Sequence, residues 1–112
     1  MEKYQKGKIY KIVCNKTGLV YIGSTIQPLK TRLAKHKTDY KLTLKGINRY
    51  NRDVFKVLEN QDYNMELLEE YPCETKKDLL IKEGEYQITT PCVNRCIAGT
   101  RKYQLKQLGL VK

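Results

Sequence analysis

A β-hairpin signal near the start of the chain constrains the fold most. The runs Lys8–Cys14 and Leu19–Gly23 are short and rich in isoleucine, valine and tyrosine. Between them, residues 15–18 read NKTG, a polar cluster ending in glycine that is typical of a hairpin turn. We therefore predict two antiparallel strands joined by this turn.

The hairpin is predicted to bring two tyrosines together. Side chains alternate along a strand, so Tyr10 shares a face with Ile12 and Cys14. Tyr21 lies on the neighbouring strand, close enough across the hairpin for the two hydroxyls to meet or to flank a third group. Gly23 closes the second strand at a point where a side chain would obstruct an approaching group.

The next segment predicts a helix from Pro28 to about Lys37, preceded by a loop over residues 24–27. Leu29 and Leu33 are four residues apart and mark a buried stripe. Arg32 and His36 have the same spacing and form a neighbouring stripe, so they point in the same direction. Residues 38–51 have no clean period and are predicted to be an irregular basic segment with a turn or two of helix.

The second half predicts a short helix over 53–60, a third strand over 65–71 and a helix from Thr75 to about Gln87. Thr75 is the predicted N-terminal cap of this last helix. The composition of 65–71 would equally suit a helix, but the hairpin needs a third strand to bury its inner face. A terminal helix is expected over 101–108. The predicted fold class is α/β (α+β), with a small three-stranded, mainly antiparallel sheet flanked by helices in one domain spanning 1–112.

Length and composition limit the class of protein. A chain of 112 residues has room for one modest core. No apolar run approaches the roughly 20 residues of a membrane span, and the N-terminus lacks a secretory signal, so we expect an intracellular protein in the cytoplasm or nucleus and no membrane partner. The four cysteines include no C-x-x-C pair, which favours reduced thiols over a zinc site.

Charge is distributed unevenly along the chain. Residues 1–52 hold 13 lysines and arginines against 2 acids, whereas residues 53–90 hold 4 against 10. Basic residues that only improve solubility remain an alternative, but a polyanion-binding surface explains the asymmetry better. That surface interleaves tyrosine and asparagine with basic residues: Lys35, Lys37, Tyr40, Lys41, Lys45, Asn48, Arg49, Tyr50 and Arg52.

Six positions along the chain resemble the motifs of one known family, and their spacing covers about residues 7–99. They are Lys8-Ile9-Tyr10, Tyr21-Ile22-Gly23, Arg32, His36, Glu83 and Asn94. In order and spacing they resemble the GIY-YIG nuclease family. One departure is that Lys8 replaces the glycine for which the first motif is named, with Gly7 preceding it.

The resemblance implies a metal-dependent DNA endonuclease and assigns roles to its positions. Tyr10 would take the proton of the attacking water, and Tyr21 would orient Tyr10 or the water. Arg32 would grip the scissile phosphate through its planar fork. His36 would pass on a proton or contact phosphate.

The remaining positions are assigned to metal and DNA. Glu83 would hold Mg²⁺, or Mn²⁺, together with water and phosphate oxygens. Asn94 would hydrogen-bond phosphate or brace Glu83, and Lys8, Lys11 and Gly23 are the further candidates for DNA contact. The substrate would be duplex or branched DNA, and a protein partner or oligomer is compatible with so short a chain.

Structural alternatives exist for each residue. The tyrosines suit a packed sheet, Glu83 suits an ion pair and Asn94 suits a turn. Arg32 and His36 suit a helix surface. A non-catalytic, basic nucleic-acid-binding module of the same fold is the alternative for the whole chain. Homing, repair, restriction and junction-resolving roles, and an origin in a virus or a mobile element, all stay open.

Overall fold

Strand β1 (Lys8–Cys14) lies at the centre of the three-stranded sheet in the computed structural model, which describes residues 2–47 and 52–94. Strands β2 (Val20–Thr25) and β3 (Tyr63–Glu70) pair with its two edges, both antiparallel. In the β1–β2 turn, the Gly18 N–H donates to the Cys14 carbonyl at 2.8 Å, and Gly18 has a φ of +76°. The predicted fold class, including the third strand, is confirmed.

Strand β2 continues past the end that the sequence predicted. Ser24 and Thr25, which were predicted to begin a loop, pair with Ile9 and Lys8 of β1. The ladder extends because β1 still offers backbone partners there. Directly paired residues project to the same face, so the Ser24 side chain lies on the Ile9 side of the sheet.

Helix α1 (Leu29–Leu44) is two turns longer than predicted. No glycine or proline interrupts residues 38–45, and the helix ends where Gly46 adopts a φ of +76°. The Gly46 N–H donates to the Thr43 carbonyl and the Ile47 N–H to the Leu42 carbonyl, both at 3.0 Å. This pair of bonds is a Schellman cap, which satisfies the last carbonyls of the helix.

Helices α2 (Phe55–Leu58) and α3 (Lys76–Thr89) lie close to their predicted positions. Helix α2 is shorter than predicted because it begins with i→i+3 bonds, such as Lys56 N–H to the Asp53 carbonyl at 3.1 Å. Thr75 caps α3 as predicted, since its hydroxyl accepts the Asp78 N–H at 3.2 Å. A short 3₁₀ helix, Glu2–Lys6, precedes β1.

The sheet is covered on both faces. Helices α1 and α2 pack on the face that carries Tyr10, while α3 packs on the face that carries Ile9. Each face has its own core, and alternate residues of β1 serve the two cores. The buried residues are Tyr10, Ile12, Cys14, Val54, Val57 and Leu58 on the first face, and Ile9, Ile22, Cys73 and Leu79 on the second.

Some predictions lie outside the described residues. These are the terminal helix over 101–108 and the part of the basic surface formed by Asn48, Arg49 and Tyr50. In the part that is described, Cys14 and Cys73 are buried, Cys92 is half-buried, and all three are free thiols. A search of the same residues finds no helix with the length and hydrophobicity needed to cross a membrane.

Candidate active site

Three aromatic side chains meet between β1, β2 and α1. The Tyr10 hydroxyl lies 2.8 Å from His36 Nε2, and both residues are buried. The Tyr21 ring lies beside them, with centroids 6.4 Å from Tyr10 and 5.6 Å from His36. The predicted approach of the two tyrosines is present, and the stripe of α1 that carries His36 faces them.

Gly23 makes room for the Tyr10 ring. The two residues are direct partners across the β1–β2 ladder, and a Cβ on Gly23 would collide with the Tyr10 hydroxyl and ring carbons. The sequence indicated that an approaching group needs the space above Gly23. In the free protein that group is the phenol of Tyr10.

Glu83 reaches the same region from the opposite face of the sheet. Its Oε1 accepts a hydrogen bond of 2.5 Å from Ser24 Oγ, and its Oε2 accepts one of 2.9 Å from Gln87 Nε2. The Gln87 amide also donates to the Ile22 carbonyl at 3.2 Å. These contacts hold the carboxylate of α3 against strand β2.

The two faces can share one site because β2 is an edge strand. Arg32 from α1 and Glu83 from α3 line a common open cleft of about 510 Å³ beside residues 24–27. Side chains from both faces thus reach around the same strand edge. The cleft brings a cation and a carboxylate next to the buried tyrosine pair.

Burial dominates the electrostatics of the tyrosines. It raises the pKa of Tyr10 far above its ordinary value, and the Tyr21 phenol adds to this. The Arg32 guanidinium opposes the rise but does not overcome it. Burial also raises the pKa of Tyr21, followed by the effect of the Glu83 carboxylate. Both tyrosines are therefore protonated at neutral pH in the free protein.

His36 is shifted in the opposite direction. Burial lowers the pKa of the imidazole to about 3, the Arg32 guanidinium lowers it further, and the Asp39 carboxylate only partly opposes them. Arg52 is a further cation that disfavours the charged ring. Neutral His36 has one ring nitrogen able to accept a proton, and Nε2 faces the Tyr10 hydroxyl.

The carboxylate of Glu83 suits a hard divalent cation. Burial raises its pKa, while the hydrogen bonds from Ser24 and Gln87 favour the ionised form. Within residues 2–47 and 52–94 no group of three or more His, Cys, Asp or Glu side chains is arranged to hold a metal. A single carboxylate in an open cleft fits Mg²⁺, which keeps several waters and binds through one or two carboxylates together with substrate phosphates.

Asn94 is used at the free edge of β2. Its side-chain carbonyl accepts the Ile22 N–H at 3.0 Å, and its amide donates to the Ile22 carbonyl at 2.8 Å. The Val93 N–H also donates to the Val20 carbonyl at 2.7 Å, so Val93 and Asn94 attach the chain after α3 to the edge strand. In this geometry Asn94 braces the strand on which Ser24 lies, and it acts on Glu83 only through that strand.

The two candidate lysines lie apart from this cluster. Lys11 pairs with Glu66 of β3 at 3.4 Å on the face opposite Tyr10. Lys8 Nζ donates to the Lys6 and Gln27 carbonyls at 3.0 and 3.4 Å, and so helps fix the loop that follows β2.

Sequence reasoning missed two members of the site. Ser24 was expected to begin a loop, because the second strand was predicted to end at Gly23, two residues before its actual end at Thr25. Gln87 was taken only as the end of a helix. A spacing signal for it was present, since Gln87 lies one helical turn after Glu83 and faces the same direction.

The fold and the site define an α+β domain that gathers tyrosines, a histidine, an arginine and a carboxylate at an edge strand. The family model of the GIY-YIG catalytic domain matches residues 6–90. The chain belongs to the GIY-YIG family, whose catalytic domain is a nuclease domain that acts on DNA and generally depends on a divalent metal. Neither the curated proteins nor the solved structures contain a significant match to the chain.

Proposed function

We propose that the chain is a metal-dependent endonuclease that hydrolyses DNA phosphodiester bonds at the cleft between α1, α3 and the edge of β2. The observation that carries this proposal is the convergence of four groups from three separate elements, β1, α1 and α3. A hydrogen-bonded Tyr10–His36 pair, the Arg32 guanidinium and the Glu83 carboxylate border one site.

Arg32 binds the scissile phosphate in this proposal. The planar guanidinium can donate two parallel N–H hydrogen bonds to two phosphate oxygens. The negative charge that grows on phosphorus during attack is then met by a fixed cation. Lys35, which lines the same cleft, adds a second positive charge.

Tyr10 and His36 move the proton. A resting phenolate is unfavourable because burial raises the Tyr10 pKa, so we assign a relay instead. The Tyr10 oxygen takes a proton from the attacking water while its own proton passes to His36 Nε2 over the 2.8 Å hydrogen bond. A phosphate bound at Arg32 offsets the guanidinium charge and raises the pKa of His36, which favours that transfer.

The reaction balances as a hydrolysis. The water oxygen forms the new bond to phosphorus, the bond from phosphorus to the 3′ oxygen breaks, and the proton held by the relay replaces the missing proton of the 3′ hydroxyl. The products are a 5′ phosphate and a 3′ hydroxyl. Tyr21 packs against both relay members and holds their rings in place.

Glu83 would hold Mg²⁺, with Mn²⁺ as the substitute. When bound, the ion polarises the phosphate and stabilises charge on the leaving oxygen. Ser24 and Gln87 hydrogen-bond the Glu83 carboxylate and orient it toward the cleft. Hydrogen bonds from neighbouring residues commonly orient metal ligands in this way.

The direct test is nicking of supercoiled plasmid with Mg²⁺ or Mn²⁺, with and without chelator. We expect wild-type protein to nick in metal and not in chelator. Glu83→Ala and Arg32→Ala should lower the rate by about a hundredfold or more, because each removes a group that acts on the transition state.

DNA binding in chelator separates the enzyme from the alternative. Glu83→Ala should retain binding while it loses nicking, and Glu85→Ala, an exposed acid on the same helix, is the matched control that should nick normally. Binding by wild-type protein with no nicking in either metal would contradict the proposal. That outcome would support a non-catalytic, basic nucleic-acid-binding module of the same fold.

A further inference from the structure

A second groove lies on α1 beyond the active site. One wall lies on one face of α1, because Tyr40 and Lys41 each lie three or four residues from both Lys37 and Leu44. The other wall runs from the end of α2 into β3 and consists of Leu58, Gln61 and Tyr63. None of these residues takes part in the site around Tyr10 and Glu83.

The lining combines positive charge with aromatic and apolar surface. Lys37 and Lys41 are exposed, and neither has an ion-pair partner among the residues that the structure describes. Tyr40 and Tyr63 are half-buried, while Leu44 leaves 67% of its surface exposed at the rim. The groove measures about 300 Å³, which is at the lower end for a small-ligand site.

This lining suits one nucleotide that is not base-paired. An aromatic and apolar wall accepts the face of any base, and lysines beside it bind the backbone phosphates. A paired base would not offer that face, because it is stacked inside the duplex. The charge of the groove excludes a cationic or purely apolar ligand as the natural occupant.

The groove and the phosphate-binding Arg32 lie on the same helix. Lys41 follows Arg32 by nine residues, which is about 13.5 Å along the helix axis. A nucleic-acid strand advances about 3.4 Å per nucleotide, so at least about four nucleotides separate the two positions. Nine residues also turn the helix by about 180°, so a strand that meets both the cleft and the groove crosses α1 between them.

We infer that the groove formed by these seven residues binds an unpaired nucleotide of the substrate strand. The preferred substrate is then DNA with a single-stranded segment at least about four nucleotides from the scissile bond. This inference rests on the proposed function, because it defines the substrate class for the same active site.

The test compares two fluorescent probes in chelator: a blunt duplex of about two helical turns, and the same duplex with a single-stranded tail of about four nucleotides. Tails with either polarity are tried. Wild-type protein should bind one tailed probe about fivefold or more tighter than the blunt probe, as expected for one stacked base.

Two pairs of variants locate the effect. Leu44→Asp places a negative charge at the rim of the groove and should abolish the preference for the tail. Ile47→Asp is its control, since Ile47 is equally exposed at 66% and does not line the groove. The double variant Lys37→Gln/Lys41→Gln should also lose the preference, whereas Lys30→Gln/Lys45→Gln on the same helix should weaken both probes alike.

Equal binding of all probes by wild-type protein, or a preference that survives in Leu44→Asp, would overturn the inference. So would an equal loss in Ile47→Asp. Because binding is measured without metal, a protein that nicks plasmid but ignores the tail refutes only the groove. A protein that prefers the tail but never nicks refutes only the proposed catalysis.

Discussion

Tyr10 and His36 show how burial changes two side chains that the sequence presents as an ordinary acid and base. The phenol and the imidazole form one hydrogen bond in a region with little water. Burial disfavours the phenolate on one side of that bond and the imidazolium on the other. The pair is therefore neutral at rest, and only substrate can bring a compensating charge.

The depressed pKa of His36 predicts a loss of stability in mild acid. Unfolded histidine titrates near 6.5, whereas folded His36 titrates near 3, so below 6.5 the unfolded chain binds more protons than the folded one. The contribution of His36 to the free energy of unfolding is fully present above about pH 6.5. It is lost as the pH decreases toward 3 and does not change further below that pH.

Urea unfolding at two pH values checks this. Between about pH 7 and about pH 5, wild-type protein should lose about 2 kcal/mol more stability than His36→Gln. The carboxylates titrate in both proteins, so their contribution cancels in the comparison. Parallel losses in the two proteins would show that His36 is protonated in the folded state, or accessible to water.

At the scale of elements, α3 depends on strand β2 for the orientation of its carboxylate. Ser24 and Gln87 each donate to one oxygen of Glu83, and Gln87 also bonds the Ile22 carbonyl. Asn94 donates to the same carbonyl and accepts the Ile22 N–H. The edge strand is thus held from both sides where the cleft opens.

Gln87→Met keeps the length of the side chain and removes its donors. We expect the carboxylate to lose its fixed orientation, so that the metal concentration for half-maximal nicking rises by about tenfold to a hundredfold, as for other supporting hydrogen bonds around metals. DNA binding in chelator should not change.

Gln5→Met is the matched control for that variant. Gln5 also donates its amide to a backbone carbonyl, that of Cys73 at 3.1 Å, but it does not line the cleft. The two variants should differ in metal dependence even if they lose similar stability. An equal effect of Gln5→Met and Gln87→Met on metal dependence would contradict a positioning role for Gln87.

Over the whole molecule, a dense group of positive charges lies on α1. Five exposed lysines lie on this helix or at its C-terminal cap, and of these five only Lys35 has an ion pair among the described residues, with Asp39 at 3.5 Å. The second half of the chain carries most of the acids. The five lysines are Lys30, Lys35, Lys37, Lys41 and Lys45.

This arrangement predicts that DNA affinity falls steeply with salt and that α1 accounts for much of the slope. Each phosphate contact contributes about 0.9 to the slope of log affinity against log salt. Lys30→Gln/Lys45→Gln should reduce the slope by about 2. Fluorescence anisotropy over a salt series measures it.

Lys56→Gln/Lys77→Gln removes the same charge from exposed positions on α2 and α3. Its slope should match that of wild-type protein. Equal reductions in both double variants would mean that the protein responds to net charge alone, without a defined DNA-binding face.

The third strand was predicted from the need of the hairpin for a partner, since its composition would equally suit a helix. The sequence by itself determined the hairpin, the Thr75 cap and the approach of Tyr10 to Tyr21. These features follow from local rules: alternation along strands, turn residues, capping and helical spacing. The family model confirms the membership of the GIY-YIG family that the motifs predicted. The sequence ended α1 too early, because the basic segment lacks an apolar period although it contains no helix breaker before Gly46.

Only the tertiary structure decided which groups meet at the edge of β2. Local patterns give the face of each element but not how far a ladder extends or which edge stays open. The pairing of Ser24 with Ile9 turns its hydroxyl toward α3, and the absence of a side chain on Gly23 admits the Tyr10 ring. The surroundings of His36, and hence its lowered pKa, likewise depend on residues that are distant in sequence, because burial is a property of the packed chain.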